Sequence, residues 1–250
     1  MPAEPLSVVV TTLNNGATLR QCLASVAWVD DIVVLDSGSV DATLEIAAEY
    51  KARLFHEAFQ GYALQKQSAI DKALHEWVLL LDADEALDSG AQVAIERALQ
   101  NPSVAGFRLP RREQVFWRFQ HRGIRLNTFL RLFDRRRCRM NDVPVHAAPH
   151  TDDAQQTLRD AELLHFGEPD IHTKVAKINA YSTGLVDDKL RKRQRYTRTR
   201  MLLYPPFFFL RQYLGKRYFL DGWAGFINAA TGAFYVFLKY AKLYEARKSR

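Results

Sequence analysis

Asp82, Ala83 and Asp84 close an apolar run, Trp77-Val78-Leu79-Leu80-Leu81, and Glu85 follows at once. The run has the length and unbroken hydrophobicity of a buried strand, so these carboxylates stand at a strand's carboxyl end. Two oxygen donors placed there can hold a hard divalent cation, and the cation can hold a diphosphate. The same residue types also suit a solvated turn after a strand. What else reaches that edge decides between the two.

The first half of the chain supplies two more such edges. Ser7-Val8-Val9-Val10-Thr11-Thr12 reads as a strand and Asn14-Asn15-Gly16 as a turn. Leu19, Cys22, Leu23 and Val26 then recur at helical spacing. Ile32-Val33-Val34-Leu35 is a second apolar strand, ending at Asp36. Ser37-Gly38-Ser39 turns the chain, and Asp41 with Thr43 opens a helix to about residue 50. A third strand is expected over 52–56, and a helix over 62–74 with Leu64, Ile70, Ala73 and Leu74 inward. Ser89 is expected to cap a helix reaching residue 100, and a fifth strand to begin over 105–109. Apolar strands alternating with helices predict an α/β fold with a parallel sheet covered on both faces. Ligands of such sheets bind at the carboxyl ends of the strands. Thr11 to Asn14, Asp36 and Asp82 to Asp84 all fall at such ends, so three separate stretches converge on one edge.

After residue 110 the pattern changes. Phe116-Trp117-Arg118-Phe119 and Thr128-Phe129-Leu130-Arg131-Leu132-Phe133 read as strands mixing basic and aromatic residues, and Glu162-Leu163-Leu164-His165-Phe166 reads as another. From Pro169 the chain reads as helices: a polar one to about 200, one over 204–220 broken at Pro205-Pro206 and Gly215, and one over 221–246. The length, 250 residues with 48% hydrophobic, suits one α/β domain with an appendage. We expect a sheet domain over 1–168, with halves 1–110 and 111–168, and a helical region over 169–250. Cys22 and Cys138 offer no disulfide framework, which makes a reducing cytosol the default. The first residues carry no signal-peptide pattern. The stretch 224–238 contains Asn228 and Thr231 and is shorter than the ~20 apolar residues of a membrane span.

Taken together, these strings resemble family 2 glycosyltransferases of the GT-A fold. The resemblance rests on the first strand with Thr11 and Asn14, on Asp36-Ser37-Gly38-Ser39-Val40-Asp41-Ala42-Thr43, on Gly61-Tyr62-Ala63-Leu64-Gln65-Lys66-Gln67, and on Trp77 through Glu85. Arg131-Leu132-Phe133, Val145-His146 and Leu164-His165 resemble the subgroup that adds β-linked glucose to the lipopolysaccharide inner core. The likeness covers about 1–185. It implies a GT-A (Rossmann-like) fold, a mixed and mostly parallel sheet with helices on both faces, plus a C-terminal helical appendage.

The resemblance also implies roles, residue by residue. Thr11, Leu13 and Asn14 would line a nucleoside pocket, with Asp36 and Ser37 toward uracil or ribose and Asp41 steadying the loop. Lys66 would lie near the diphosphate, and Asp82 and Ala83 would face the ribose and sugar. Asp84 would ligate Mg²⁺ or Mn²⁺, with Asp82 beside it and His165 completing the shell; His165 equally suits a histidine satisfied at a strand edge. The implied reaction moves a hexose, glucose in the subgroup, from a UDP-sugar to a lipopolysaccharide core with inversion. A metal on the diphosphate would stabilise the leaving charge, and a base would take the acceptor proton. Where the subgroup reads Val-His-Glu this chain has Val145-His146-Ala147. The carboxylate is therefore absent, and His146, Asp142 and Glu113 stay open as the base.

A formal charge of +7 points to anionic partners. Acids dominate 30–100, whereas arginine and lysine crowd 108–139 and 189–200. The latter run borders aromatic and apolar stretches such as Phe207-Phe208-Phe209-Leu210, a mixture that suits a lipid headgroup boundary better than nucleic acid. The competing use is packing of these helices together or against a second copy, as a homo-oligomer. The expected protein is cytoplasmic and peripheral to the inner face of the cytoplasmic membrane. Its partners would be a UDP-sugar, a lipid-linked lipopolysaccharide core acceptor and anionic lipid, with no nucleic acid. Three alternatives remain: a polyprenyl-phosphate glycosyltransferase of the same fold, a nucleotidyltransferase, and a non-enzymatic anion-binding module. Thr12-Leu13-Asn14-Asn15-Gly16 lacks the Gly-rich basic loop that the second of these usually carries.

Overall fold

A computed structural model describes residues 3–141, 147–192 and 196–248, apart from the side chain of Glu168. Contacts group the chain into two compact units, one of Met1–Arg112 with Asn127–Phe166 and one of Glu113–Leu126 with Gly167–Arg250.

In the first unit, β1 (Leu6–Thr12), β2 (Asp31–Asp36), β3 (Arg53–His56) and β4 (Trp77–Asp82) pair in parallel in the order β3-β2-β1-β4. Successive side chains of a strand point to opposite faces. Val8, Val10, Val34, Leu79 and Leu81 therefore pack on one face, with Leu19, Cys22 and Leu23 of α1 (Leu19–Ala24) and Ile46 and Ala47 of α2 (Thr43–Glu49). Val9, Val33, Leu35, Val78 and Leu80 pack on the other, against Ala69 and Ile70 of α3 (Tyr62–Asp71). The α/β expectation, with helices on both faces, agrees with this core.

The second half of the sheet is antiparallel. β5 (Glu85–Leu87), β6 (Gly106–Val115), β7 (Arg118–Phe119), β8 (Asn127–Asp134) and β12 (Leu163–Glu168) extend the order as β4-β8-β6-β12-β5. β6 does not continue the parallel sheet: it pairs antiparallel with β8. Ala83 and Asp84 alone separate β4 from β5, yet β5 pairs with β12 at the far end of the path. Two residues reach only about 7 Å, so the path β4-β8-β6-β12-β5 must curl back on the Asp82–Glu85 turn. The remaining short strands are β9 (Arg139–Met140), β10 (Pro149–His150) and β11 (Gln155–Thr157).

Three local expectations are corrected. In α3, Leu64 and Leu74 are exposed, and the buried face is Gln65, Lys66, Ala69, Ile70 and, just beyond the helix, Ala73. The helix is turned so that the Lys66 stem is covered and its ammonium meets Asp82. α4 (Ala91–Ala98) has Gly90, not Ser89, at its N-cap, without a side-chain cap. Phe116 and Trp117 are not strand: Phe116 has φ 57° and stands between β6 and β7.

The second unit holds α5 (Ile171–Gly184), α6 (Val186–Arg191), α7 (Thr197–Leu210) and α8 (Trp223–Lys248). The expected break at Pro205-Pro206 does not occur. The prolines remove two helix donors, costing about 3 kcal/mol or more each. Met201 and Phe208 on either side pack against Val236, Tyr240 and Leu243 of α8, which holds α7 in line. α7 then runs into a wider π turn, Arg211–Gly215. Among the described residues no helix is long and apolar enough to cross a membrane.

At the amino edge of the parallel strands, buried Asp31 accepts hydrogen bonds from Ser7 Oγ at 2.5 Å, Arg53 Nε at 2.9 Å and the Leu74 N–H at 2.9 Å. Burial alone would push this carboxyl up, but the bonds from Arg53, Ser7 and Leu74 outweigh it and hold it below the usual range. A depressed acid stabilises the fold above its unfolded pKa of about 3.9, and that contribution is lost as pH falls through the folded value. Asp31→Asn is expected to cost about 2–3 kcal/mol at pH 7, below the fully buried case because Arg53 keeps some water. It should also flatten the loss of stability below about pH 4. Urea unfolding of both proteins at pH 7 and pH 3 tests this; parallel stability curves would refute it.

Candidate active site

The strand register builds the edge. Thr12 stands opposite Asp36 and Thr11 opposite Asp82, so β2, β1 and β4 end side by side. Adjacent strands lie about 4.8 Å apart, so three strand ends span one nucleotide-sized row.

The loops after β1 and β2 interlock. Asp36 is buried and accepts from the Gly38 N–H at 2.8 Å, the Ser39 N–H at 2.9 Å and the Ser39 hydroxyl. Burial would raise its carboxyl; the bonds from Ser39 and Gly38, with His56 Nδ1 at 3.5 Å, lower it overall. Gly38 has φ 107°, where a side chain would strain the turn. Asn14, itself at φ 54°, donates its N–H to Ser39 Oγ at 2.8 Å and accepts the Val40 N–H at 2.9 Å. Asp41 accepts from the Gly16 N–H at 2.9 Å and from the Thr43 N–H at 3.1 Å and hydroxyl. It thus steadies the loop at the head of α2, whose N-cap position is Ala42. Thr11 and Ser37 are half-buried and Leu13 is exposed.

The end of β4 is a charge cluster. The two Asp82 oxygens are separately engaged: Oδ1 by the Lys66 ammonium, Oδ2 by Arg131 at 2.7 Å. The same Arg131 nitrogen reaches Glu85 Oε1 at 2.7 Å, and Arg111 lies 3.2 Å from that oxygen. Glu85 Oε2 accepts the Asp82 N–H at 3.1 Å. Burial would raise the Asp82 carboxyl, but Arg131 and Lys66 hold it well below the usual range, so it stays ionised. Arg131 is itself buried, and the charges of Glu85 and Asp82 outweigh burial and keep it protonated. Its Nε has no hydrogen-bond partner among the described residues.

Asp84 turns the other way. Its Oδ2 lies 3.3 Å from His165 Nε2, and its carbonyl accepts the Phe166 N–H at 2.8 Å. Burial would raise its carboxyl; the hydrogen bond and charge of His165 lower it overall. Ala83 is buried between the two aspartates.

Among the described residues, no three His, Cys, Asp or Glu side chains gather as a ready-made metal shell. Asp82 has both oxygens committed to cations, which leaves Asp84 Oδ2 and His165 Nε2 as two donors on one side. One carboxylate and one imidazole are donors that suit a divalent cation, and Asp84 and His165 would hold it. The expected ligand trio thus divides into a donor pair and a salt-bridged Asp82.

Of the expected bases, Asp142 and His146 lie outside the described residues. Glu113 lies on β6 in the second unit, where its N–H donates to Gln120 Oε1 at 3.2 Å. Sequence reasoning gave no role to Arg131, Arg111 or Glu85. Arg131 and Glu85 stood in the family strings, and a further signal was an arginine inside an apolar strand, Leu130-Arg131-Leu132, where a charge needs a buried partner.

Residues 7–151 match the model of glycosyl transferase family 2, and the chain belongs to that family. It is a glycosyltransferase, so the nucleotidyltransferase and non-enzymatic alternatives fall. Among its relatives is a protein named lipopolysaccharide core biosynthesis glycosyltransferase LpsC, from Rhizobium meliloti (strain 1021). That protein is 32% identical over 98% of this chain and 94% of its own length. The uncharacterized glycosyltransferase RT0209 of Rickettsia typhi is 26% identical over 99% of this chain and 89% of its own. The crystal structure of S. aureus TarS 1-349 superposes with a TM-score of 0.50 at 13% identity, covering 98% of this chain and 92% of that one. That likeness is one of fold, GT-A.

Removing Arg131 leaves two carboxylates short of their buried cation. Arg131→Met is expected to cost about 3–5 kcal/mol, read as a fall in the urea midpoint. Adding Glu85→Gln should restore part of it, giving a favourable coupling in the double-mutant cycle. Strict additivity would show that Arg131 and Glu85 do not act as a unit.

Proposed function

We propose that the enzyme transfers a hexose, glucose in the first instance, from a UDP-sugar to a lipopolysaccharide core saccharide, with inversion and with a divalent cation. The observation that carries the donor half is the row on one sheet edge: the interlocked Asn14 and Asp36 loops, the Lys66–Asp82–Arg131 cluster, and the Asp84–His165 donor pair. The acceptor half is supported by the name of the R. meliloti relative, aligned over nearly the whole of both chains.

In this reading Thr11, Leu13, Asn14 and Ser37 meet the nucleoside. Asp36 acts through the loop it folds, because its carboxylate is spent on backbone N–H groups and the Ser39 hydroxyl. Lys66 and Arg131 carry positive charge toward the diphosphate and keep Asp82 ionised and oriented against the sugar. Asp84 and His165 would hold Mg²⁺ or Mn²⁺; once bound, the ion supplies charge stabilisation to the departing diphosphate. A base then removes the acceptor proton, and His146, Asp142 and Glu113 are the candidates. The same reading makes the enzyme cytoplasmic and peripheral to the membrane, where a lipid-linked acceptor is met.

Purified enzyme with UDP-glucose and Mn²⁺ should release UDP, faster when core oligosaccharide is added. Asp84→Ala and excess chelator should each lower turnover by at least about a thousandfold, since charge stabilisation of the leaving group is a large term in such reactions. Asp84→Asn should recover little, and thermal stability should hardly change. Full activity in chelator would sink the metal assignment.

Asp36→Ala should raise the dissociation constant for UDP about tenfold or more while turnover at saturating donor changes less, because the loop meets a part of the donor that does not react. Calorimetric UDP titration checks this. Unchanged UDP affinity with lost turnover would instead give Asp36 a part in the chemistry.

A further inference from the structure

Part of the basic run first expected to face lipid is drawn to neighbours in its own unit. Lys192 is 2.9 Å and Arg191 3.9 Å from Asp188, and Lys189 lies over the Tyr240 ring at 5.4 Å. Arg193 and Arg195 lie outside the described residues. A different surface of the second unit has the required character. Leu203, Phe207, Leu210 and Leu214 are each more than half exposed, and their spacing of four, three and four residues puts them on one side of α7 and its π turn. Trp223, at the start of α8, is 76% exposed and meets Phe226, whose ring lies 5.7 Å from Phe209 of α7 and 6.0 Å from Tyr213 of the π turn. Arg200 precedes the row and Arg211 lies within it, each over a ring of α7, Tyr204 at 5.6 Å and Phe208 at 5.4 Å; exposed Arg217 follows. Between residues 196 and 250 the chain carries ten lysines and arginines against Asp221 and Glu245 alone, while the whole chain is only +7. Ten cations against two acids give this segment a formal charge of +8.

We propose that this face of α7, with Trp223, is a docking surface for an anionic phospholipid bilayer, the helix lying in the headgroup plane. Apolar and aromatic side chains would enter the acyl boundary while the arginines remain at phosphate level. Charge selects this occupant over the others. A second copy would bring Arg200, Arg211 and Arg217 against the same three arginines, and like charges at an interface oppose association. Single-stranded nucleic acid would use stacked aromatic faces and has no use for Leu203, Leu210 and Leu214. The proposal rests on the lipid-linked acceptor reading for its purpose, but the binding it describes needs neither donor nor acceptor.

The test uses the full chain with vesicles of phosphatidylcholine alone or mixed with phosphatidylglycerol. The protein should co-sediment with the mixed vesicles, less so as salt rises, and hardly with neutral ones. Arg200→Gln, Arg211→Gln and Arg217→Gln together should weaken this roughly a hundredfold, at about fivefold per cation. Phe207→Ser with Leu210→Ser should weaken it about tenfold or more. Brominated lipid should quench tryptophan emission in the parent protein, and Trp223→Phe should remove most of that quenching. Should the serine pair fail to fold, the arginine set and the quenching decide alone. Equal binding to neutral and anionic vesicles overturns the proposal, as does binding that neither set of changes weakens. So does a dimer that the serine pair dissociates in a protein that binds no vesicle. UDP release without vesicles, unchanged in all these variants, reports the donor reading separately: its absence in the parent protein would refute that reading and leave the vesicle result to judge the surface.

Discussion

The ion-pair cluster at the end of β4 is the constraint on which the first unit depends. Asp82, Asp84 and Glu85 fall within four residues at the close of a strand buried on both faces. Such a concentration of negative charge is costly unless paired. Each partner comes from a different element: Lys66 from α3, Arg131 from β8, Arg111 from β6 and His165 from β12. Satisfying the cluster therefore fixes the rotation of α3, the antiparallel run of β8 and β6 against the parallel half, and the pairing of β12 with β5. The curl of the sheet is the geometric consequence of bringing four elements to one turn.

The two ends of the parallel strands use buried aspartates differently. Asp31 ties β1, β2, β3 and the approach to β4 through Ser7, Arg53 and the Leu74 N–H. Asp36, five residues later on the same strand, is spent on the N–H groups of a glycine turn, which fixes a loop at the edge where nucleotides meet α/β sheets. A buried carboxylate is thus structural at one end of a strand and shapes a site at the other. What separates them is whether its donors come from the core or from a loop.

The division of labour within Asp82-Ala83-Asp84 follows from the strand. Residues two apart in an extended chain point to the same side, but the turn into β5 begins here, and the two carboxylates face different company. Asp82 meets two cations and stays ionised without a metal. Asp84 meets a histidine on β12, and the pair supplies one oxygen and one nitrogen donor. The signature is one motif in sequence and two environments in space.

Much of the first unit was legible in the chain. Continuous apolar runs of strand length, turn residues after each and helical spacing between them determined four parallel strands, their order of appearance and the edge they share. This is local information, carried by hydrophobic period and turn chemistry. The sequence also placed Asp36, Asp82 and Asp84 at strand ends, and its family strings gave the class of enzyme. Tertiary structure alone decided which cations meet which carboxylates, because Lys66, Arg131 and Arg111 lie 16, 49 and 26 residues from their partners and no short-range rule links them. It decided that β6 runs antiparallel beside β8, since an apolar strand reads the same in either direction. It decided that Leu64 and Leu74 face water while Lys66 is covered, because the face of α3 that packs on the sheet carries Ala69 and Ile70 and brings Lys66 to Asp82. And it carried α7 through Pro205-Pro206, where packing against α8 offsets a local preference that, read alone, ends a helix.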